Sequence, residues 1–205
     1  PPYPSMTTPR QDHAAAVLLG RVYVAGGWDN NGYPLASVEA FDGGAHGAWK
    51  KVASMTTARF SFVLVALEGY PLLHGGGGML VAAGGWDSNN NYLASAEAFT
   101  LARGAKWAPI ATMTTARAGC AGAALHGKAY VSGGEGSNAY NILASVEVYD
   151  PATQRWAAAP PMGTPRINHA AAALVVGGTA RVYVAGGLVA GYPNITVLAT
   201  SEALG

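Results

Sequence analysis

The stretch MTTARFSF at 55–62 recurs as MTTARAGC at 113–120, and two variants, MTTPR at 6–10 and MGTPR at 162–166, bring the copies to four. Each copy ends in an arginine four residues after its methionine: Arg10, Arg59, Arg117 and Arg166. Working outward, three more signals keep the same register. An apolar run closing on a glycine pair reads VYVAGG at 22–27, LVAAGG at 80–85, AYVSGG at 129–134 and VYVAGG at 182–187. A third reads LASVEAFD at 35–42, LASAEAFT at 93–100, LASVEVYD at 143–150 and LATSEALG at 198–205, with Glu39, Glu97, Glu147 and Glu202 in one place. Trp49, Trp107 and Trp156 stand six residues before Met55, Met113 and Met162. Self-similarity at a fixed period is the mark of a repeat architecture and comes before any assignment of elements.

Successive repeat methionines are 49, 58 and 49 residues apart, and the long interval is explained by the extra ALEGYPLLHGGGG at 66–78, whose Gly and Pro content marks a loop insertion. The units run approximately 6–54, 55–112, 113–161 and 162–205, within one region covering 1–205. Each holds four short apolar or alternating segments, here a to d. In the first unit these are HAAAVLL at 13–19, RVYVAGG from Arg21, SVEAF from Ser37 and WKKVASM from Trp49. They have strand length, and Gly, Asn, Asp and Pro separate them. No window keeps an apolar stripe of helical period without a Gly pair cutting it. Four antiparallel strands per unit, repeated, give an all-β β-propeller of four-stranded blades.

Composition narrows the function classes. With 12 Lys+Arg against 11 Asp+Glu the net charge is +1, so no overall field draws the chain to nucleic acid or to an anionic membrane. The longest apolar runs fall short of the roughly 20 residues that cross a bilayer as a helix. A single cysteine, Cys120, excludes an internal disulfide framework, and the Cys and His spacings fit no zinc pattern. A cytoplasmic or otherwise intracellular protein is expected. The 28 Gly fall mainly in pairs at fixed places among alternating apolar residues, so order rather than disorder is expected.

The pattern M-x-x-x-R, apolar strand, G-G, S-x-E-x-[FY]-D and W-x5-M resembles the kelch repeat, most closely the metazoan BTB-kelch type, over the whole chain. The resemblance implies a propeller of five to seven blades, often six, with a protein-binding role. In some relatives loop arginines contact acidic peptides. BTB and BACK segments would precede the repeats of a ubiquitin-ligase adaptor, and none lies within these residues. Copper oxidases built on the same repeat use a Cys cross-linked to a Tyr, whereas Cys120 falls in segment a of an ordinary unit.

Most repeated residues read as scaffold. Paired glycines suit a crowded strand end where positive φ and close approach are needed. Trp49, Trp107 and Trp156 offer large apolar area for packing between blades, and a buried indole N–H needs a partner. Alanine-rich a segments suit the innermost position, where blades converge. Arg10, Arg59, Arg117 and Arg166 are expected to pair with Glu39, Glu97, Glu147 and Glu202, because a buried charge needs compensation and guanidinium binds carboxylate bidentately. The alternative is one surface arginine per blade, anchoring an acidic ligand.

Partner contact is assigned instead to the b-to-c loops, WDNNGYP at 28–34, WDSNNNY at 86–92, EGSNAYN at 135–141 and LVAGYPNITV at 188–197. Tyr and Trp give rigid contact area, and Asn, Ser and Gly give adaptable hydrogen bonding. The candidates are Trp28, Asp29, Asn30, Tyr33, Trp86, Asp87, Asn89, Tyr92, Tyr140 and Tyr192. The insertion at 66–78, on the opposite face, is a second possible contact or an inert loop.

No catalytic residue, metal site or cofactor is assigned. His13 and His169 follow their repeat arginines by three, where the other units carry Phe62 and Cys120, and this is too few ligands for a metal. GGGG at 75–78 lacks the Lys-Ser/Thr of a phosphate loop, and NIT at 194–196 is a lone glycosylation sequon. The Trp expected before Met6 and after Glu202 is missing at both ends. An arc of a larger, six-bladed ring is therefore expected, its open edges covered by further blades or another chain. The function expected is a non-catalytic protein–protein interaction scaffold or adaptor within a larger assembly. The alternatives are an oxidase, isomerase or lyase with chemistry at the central channel, or a purely structural subunit of a cytoskeletal or organellar complex.

Overall fold

The computed structural model describes residues 4–43, 47–69, 77–101, 105–137, 141–189 and 195–204. Unit one forms β1 (Ala14–Leu18), β2 (Arg21–Ala25), β3 (Val38–Phe41) and β4 (Trp49–Val52). Unit two forms β5 (Val63–Leu67), β6 (Met79–Ala83), β7 (Ala96–Thr100) and β8 (Trp107–Ile110). Unit three opens with the short β9 (Arg117–Ala118), then β10 (Ala121–Leu125), β11 (Lys128–Ser132), the short β12 (Glu135–Gly136), β13 (Val146–Asp150) and β14 (Arg155–Ala159). Unit four gives β15 (Ala170–Val176), β16 (Thr179–Ala185), the short pair β17 (Leu188–Val189) and β18 (Thr196–Val197), and β19 (Ser201–Leu204). The main sheets run β1-β2-β3-β4, β5-β6-β7-β8, β10-β11-β13-β14 and β15-β16-β19, so each unit is one antiparallel blade. No described residue lies in a helix.

The alternation along each strand sends one set of side chains to the preceding blade and the other to the next. Three apolar clusters result, one at each junction. Leu18, Tyr23 and Ala25 of the first blade meet Phe62, Leu64 and Leu80 of the second. Val63, Val65 and Val81 meet Ala129, Val131 and Tyr149 of the third, and Ala123 and Val146 meet Val182, Val184 and Leu204 of the fourth. The second blade has neighbours on both sides, and all of β6 is buried. The fourth has one, and most of β15 stays exposed.

The a strands contact one another in order, β1 with β5, β5 with β10 and β10 with β15, so they are innermost. Small side chains explain this approach in the first, third and fourth blades. The second departs from the expected alanine rule, with Val63, Leu64, Val65 and Leu67 buried. Gly122 makes room across the junction, since a Cβ there would lie 2.9 Å from Val65 Cγ2 and 3.1 Å from Val63 Cβ. The inserted segment also starts later than the sequence suggests: Ala66 and Leu67 belong to β5, the connection begins at Glu68, and residues 70–76 lie outside the described set.

Among the described residues, nothing pairs with the outer edge of β19, and residues 4–6 form no strand there. Trp49 Nε1 instead donates to the Pro4 carbonyl at 3.1 Å.

Candidate functional site

All four expected Arg–Glu pairs form, each within one blade: Arg10–Glu39 at 2.9 Å, Arg59–Glu97 at 3.0 Å, Arg117–Glu147 at 2.8 Å and Arg166–Glu202 at 2.7 Å. Each arginine side chain is wholly withdrawn from solvent. The rest of MTTAR completes the clasp. Thr56 donates both its N–H and its hydroxyl to Glu97 Oε2 at 2.6 Å, and the Thr57 N–H donates to Oε1 at 3.0 Å. Arg59 Nη1 donates to the carbonyls of Gly84 and Ser95. Thus the glycine pair, the Ser two residues before the glutamate, and both threonines meet at one charge pair. In the first blade burial pushes the Glu39 carboxyl up, but the Thr7 N–H, the Arg10 and Thr7 side-chain donors and the Arg10 charge outweigh it and bring it to about 2. The fourth blade has Gly163 in place of the first Thr, and there Arg166 Nε also donates to Glu202, at 3.2 Å. These arginines cannot serve as surface anchors.

The clasps fix the connections on one face, where d leads to a and b leads to c. In the first b-to-c loop the Asp29 carboxylate accepts from the N–H groups of Asn31 and Tyr33, at 2.9 and 3.0 Å. In the second, Asp87 accepts from Asn89 and Asn91, at 2.8 and 2.9 Å. The Tyr33 and Asn91 N–H groups respectively do most to hold these carboxyls below their ordinary range. Asp29 and Asp87 are therefore loop staples of the Asx-turn kind, a role the composition reading missed. Asn30 and Asn89 remain exposed at the loop tips.

The tyrosines are not equivalent. Trp28 bridges to Pro34 and Trp86 bridges to Tyr92, so Tyr92 matches Pro34, and Tyr33 matches Asn91. Tyr33 is 68% exposed, whereas Tyr92 lies against Trp86 with ring centroids 4.2 Å apart. Counting back from Leu35 and Leu93 shows the offset in the sequence. Tyr140 and Tyr192 lie outside the described residues.

Sequence reasoning also missed Phe60. It stacks on Trp28 at 4.2 Å and on Trp86 at 6.1 Å, making a row Trp28–Phe60–Trp86–Tyr92 that crosses from the first blade into the second. The backbone draws it together, because Phe60 N donates to the Trp86 carbonyl and Gly27 N to the Arg59 carbonyl. Carboxylates close both ends. Asp12 Oδ2 accepts from Trp28 Nε1 at 3.0 Å, and the Tyr92 hydroxyl bonds Glu135 of the third blade. Burial, with that bond and the Glu135 charge, pushes the Tyr92 phenol up to about 12. Only the phenylalanine after Arg59, set against the Trp after each of the first two glycine pairs, signals this row in the sequence.

The structural tryptophans tie neighbouring outer strands. Trp156 Nε1 donates to the Ala111 carbonyl of the preceding blade at 2.8 Å, whereas Trp107, buried in the first junction, acts by packing alone, its Nε1 having no hydrogen-bond partner among the described residues. His169 Nε2 lies 2.8 Å from Ser132 Oγ across the third junction, both groups being buried. Burial and the Arg166 charge lower the His169 imidazole to about 4. Burial raises the Cys120 thiol to about 11. Among the described residues no group of three or more His, Cys, Asp or Glu is placed to hold a metal ion, and no helix is long and apolar enough to cross a membrane.

Blades of antiparallel strands, joined at their a strands and each locked by an Arg–Glu clasp, make this a β-propeller built of repeats. The chain belongs to the kelch-repeat family: the family model described as Kelch motif matches residues 9–56 and 116–163, the first and third units. It is 31% identical over 173 residues to Kelch-like protein 36 of Rattus norvegicus, across 83% of this chain and 26% of the relative. It is 33% identical over 168 residues to Kelch-like protein 33 of Homo sapiens, across 80% and 29%, and 28% identical over 174 residues to Beta-scruin of Limulus polyphemus, across 80% and 18%. The chain thus spans less than a third of the length of these relatives. The solved structure of YjhT shares the fold, with a TM-score of 0.76 at 10% identity, covering 98% of this chain and 67% of that one.

Proposed function

We propose that the chain is a non-catalytic protein–protein interaction scaffold that holds its partner on the b-to-c loop face, as part of a larger assembly. The observation that carries this reading is the row Trp28–Phe60–Trp86–Tyr92. Its Trp28, Trp86 and Tyr92 rings are partly exposed around the buried Phe60, on loops stapled by Asp29 and Asp87, with exposed Tyr33 beside them. Rigid aromatic area on a fixed base loses little entropy on binding, which is what a contact surface needs. The kelch-like relatives support a scaffold role. The Arg–Glu clasps hold the loops in place and are not contacts themselves. The test is affinity capture with the wild-type chain and with Tyr33→Ala/Trp86→Ala. The double variant is expected to lose the specific partners, and an unchanged set of captured proteins would exclude the loop face.

A further inference from the structure

Resting on that reading, we propose that the loop face takes a cationic partner: an extended segment whose arginine or lysine side chains seat against the partly exposed Trp28, Trp86 and Tyr92, which the buried Phe60 holds in one row. The near-neutral composition conceals a separation of charge between the two faces. The chain has 12 Lys+Arg and 11 Asp+Glu, and the clasps neutralise four of each inside the blades. Of the remaining carboxylates, Asp12, Asp29, Asp87 and Glu135 lie in the d-to-a and b-to-c connections. Among the described residues no lysine and no arginine other than the clasp residues does. Arg21, Lys50, Lys51, Lys106, Lys128, Arg155 and Arg181 all fall in strands or in the connections of the opposite face. A chain of net charge +1 therefore turns an uncompensated acidic side toward whatever meets its aromatic row.

The arrangement of those acids suits a guanidinium or ammonium group. Asp12 stands at the Trp28 end of the row and Glu135 at the Tyr92 end, in different blades, with aromatic faces between them. Cations bind over indole and phenol rings, arginine stacks there while its N–H fork reaches a carboxylate, and a row of this kind offers both partners to successive side chains. Asp29 and Asp87 add negative charge beside the row, each kept ionised by its own loop N–H groups. An acidic peptide held by loop arginines, the mode implied by the BTB-kelch resemblance, has no counterpart here, since every arginine of this face is sunk in a clasp.

Fluorescence anisotropy of the full chain tests this with two labelled probes, a peptide of alternating glycine and arginine and its glycine–glutamate counterpart, at about 50 and 300 mM salt. The arginine peptide is expected to bind and to weaken several-fold at the higher salt. Trp86→Ala or Glu135→Gln should each weaken it about three- to tenfold, while Arg21→Glu, beside the β1–β2 turn on the opposite face, leaves it no weaker. If Trp86→Ala fails to fold, Glu135→Gln, a change of nearly equal volume at a half-buried position of β12, carries the same comparison. Absence of arginine-peptide binding, binding indifferent to both loop variants, or preference for the glutamate peptide overturns the proposal. So does salt-sensitive self-association that Arg21→Glu abolishes, because the occupant is then the basic face of a second copy. Partner capture that depends on Tyr33 and Trp86 without arginine-peptide binding overturns the cationic partner alone. Capture indifferent to those residues overturns the loop-face reading itself.

Discussion

Arg59 Nη2 lies 3.0 Å from Glu97 Oε1, with 0% and 2% of the two side chains exposed, and the same contact recurs at 2.7–2.9 Å in the other three blades. An ion pair so deeply placed contributes little net stability over an apolar pair of similar volume, but removing one partner strands the other charge. Its function is positional. Arg59 Nη1 holds the carbonyls of Gly84 and Ser95, while Glu97 holds the N–H groups of Thr56 and Thr57, so one pair pins both connections of the loop face.

Glu97→Ala should therefore cost about 3–5 kcal/mol in urea unfolding. The double variant Arg59→Met/Glu97→Leu should cost clearly less than the sum of its single changes. A double variant as destabilised as that sum would mean the two groups act independently.

Acid should destabilise the molecule in two overlapping windows. His169 has its imidazole lowered from 6.5 to about 4 by burial and by Arg166, so the unfolded chain binds the extra proton first. Its contribution is fully present above pH 6.5 and is lost as pH falls to about 4, roughly 3 kcal/mol in all. Glu39, lowered from 4.5 to about 2, loses its contribution as pH falls between those values. His169→Phe, paired with Ser132→Ala so that no hydroxyl is stranded, should flatten the upper window and leave the lower one. The measurement is unfolding free energy against pH, and an unaltered upper slope would remove His169 as its source.

The blade plan was open to reading because each element of it is written three or four times. The Met-to-Arg spacing, the glycine pair, the third-strand glutamate and the Trp-to-Met spacing share one register, and a pair such as Arg59–Glu97 follows from two residues that recur together. The loop face was less legible. Phe60 joins the aromatic row only because the next-blade segment after Arg59 lies beside the residue following Gly85, a neighbourhood set by backbone bonds between connections. Asp29 looked like a contact residue because composition does not distinguish a carboxylate facing solvent from one turned onto its own loop. The separation of charge emerged only after the clasp residues were subtracted and the rest assigned to faces.

Asp87→Ala separates stapling from contact. The change removes the acceptor for the Asn89 and Asn91 N–H groups and for Asn91 Nδ2. Because the loop is exposed, global stability should move by no more than about 1 kcal/mol. Hydrogen exchange at Asn89 and Asn91 should nevertheless accelerate while Leu80 and Val81 in β6 keep their protection. Equal acceleration in β6 would show that the loop and the blade open together.

Two glycines of positive φ test how much of the repeat glycine's role is steric. Gly20, at +74°, closes the β1–β2 turn with open space where a Cβ would go. Gly27, at +84°, ends strand b with no such space, since a Cβ would lie 2.9 Å from His13 Cβ and would meet the Gln11 carbonyl oxygen; its N–H also donates to the Arg59 carbonyl of the next blade at 2.9 Å. Backbone strain alone costs an alanine about 1 kcal/mol at either site. Gly20→Ala should stay near that figure, and Gly20→Asn, which tolerates the left-handed region, should be nearly neutral. Gly27→Ala should exceed it by a further 2 kcal/mol or more, because backbone rather than a flexible side-chain tip must move. Thermal unfolding of the three variants decides the point. Equal losses at Gly20 and Gly27 would reduce the glycine pair to a requirement for positive φ, whereas the larger loss at Gly27 ties it to the close approach of the Gln11–His13 segment of its own blade.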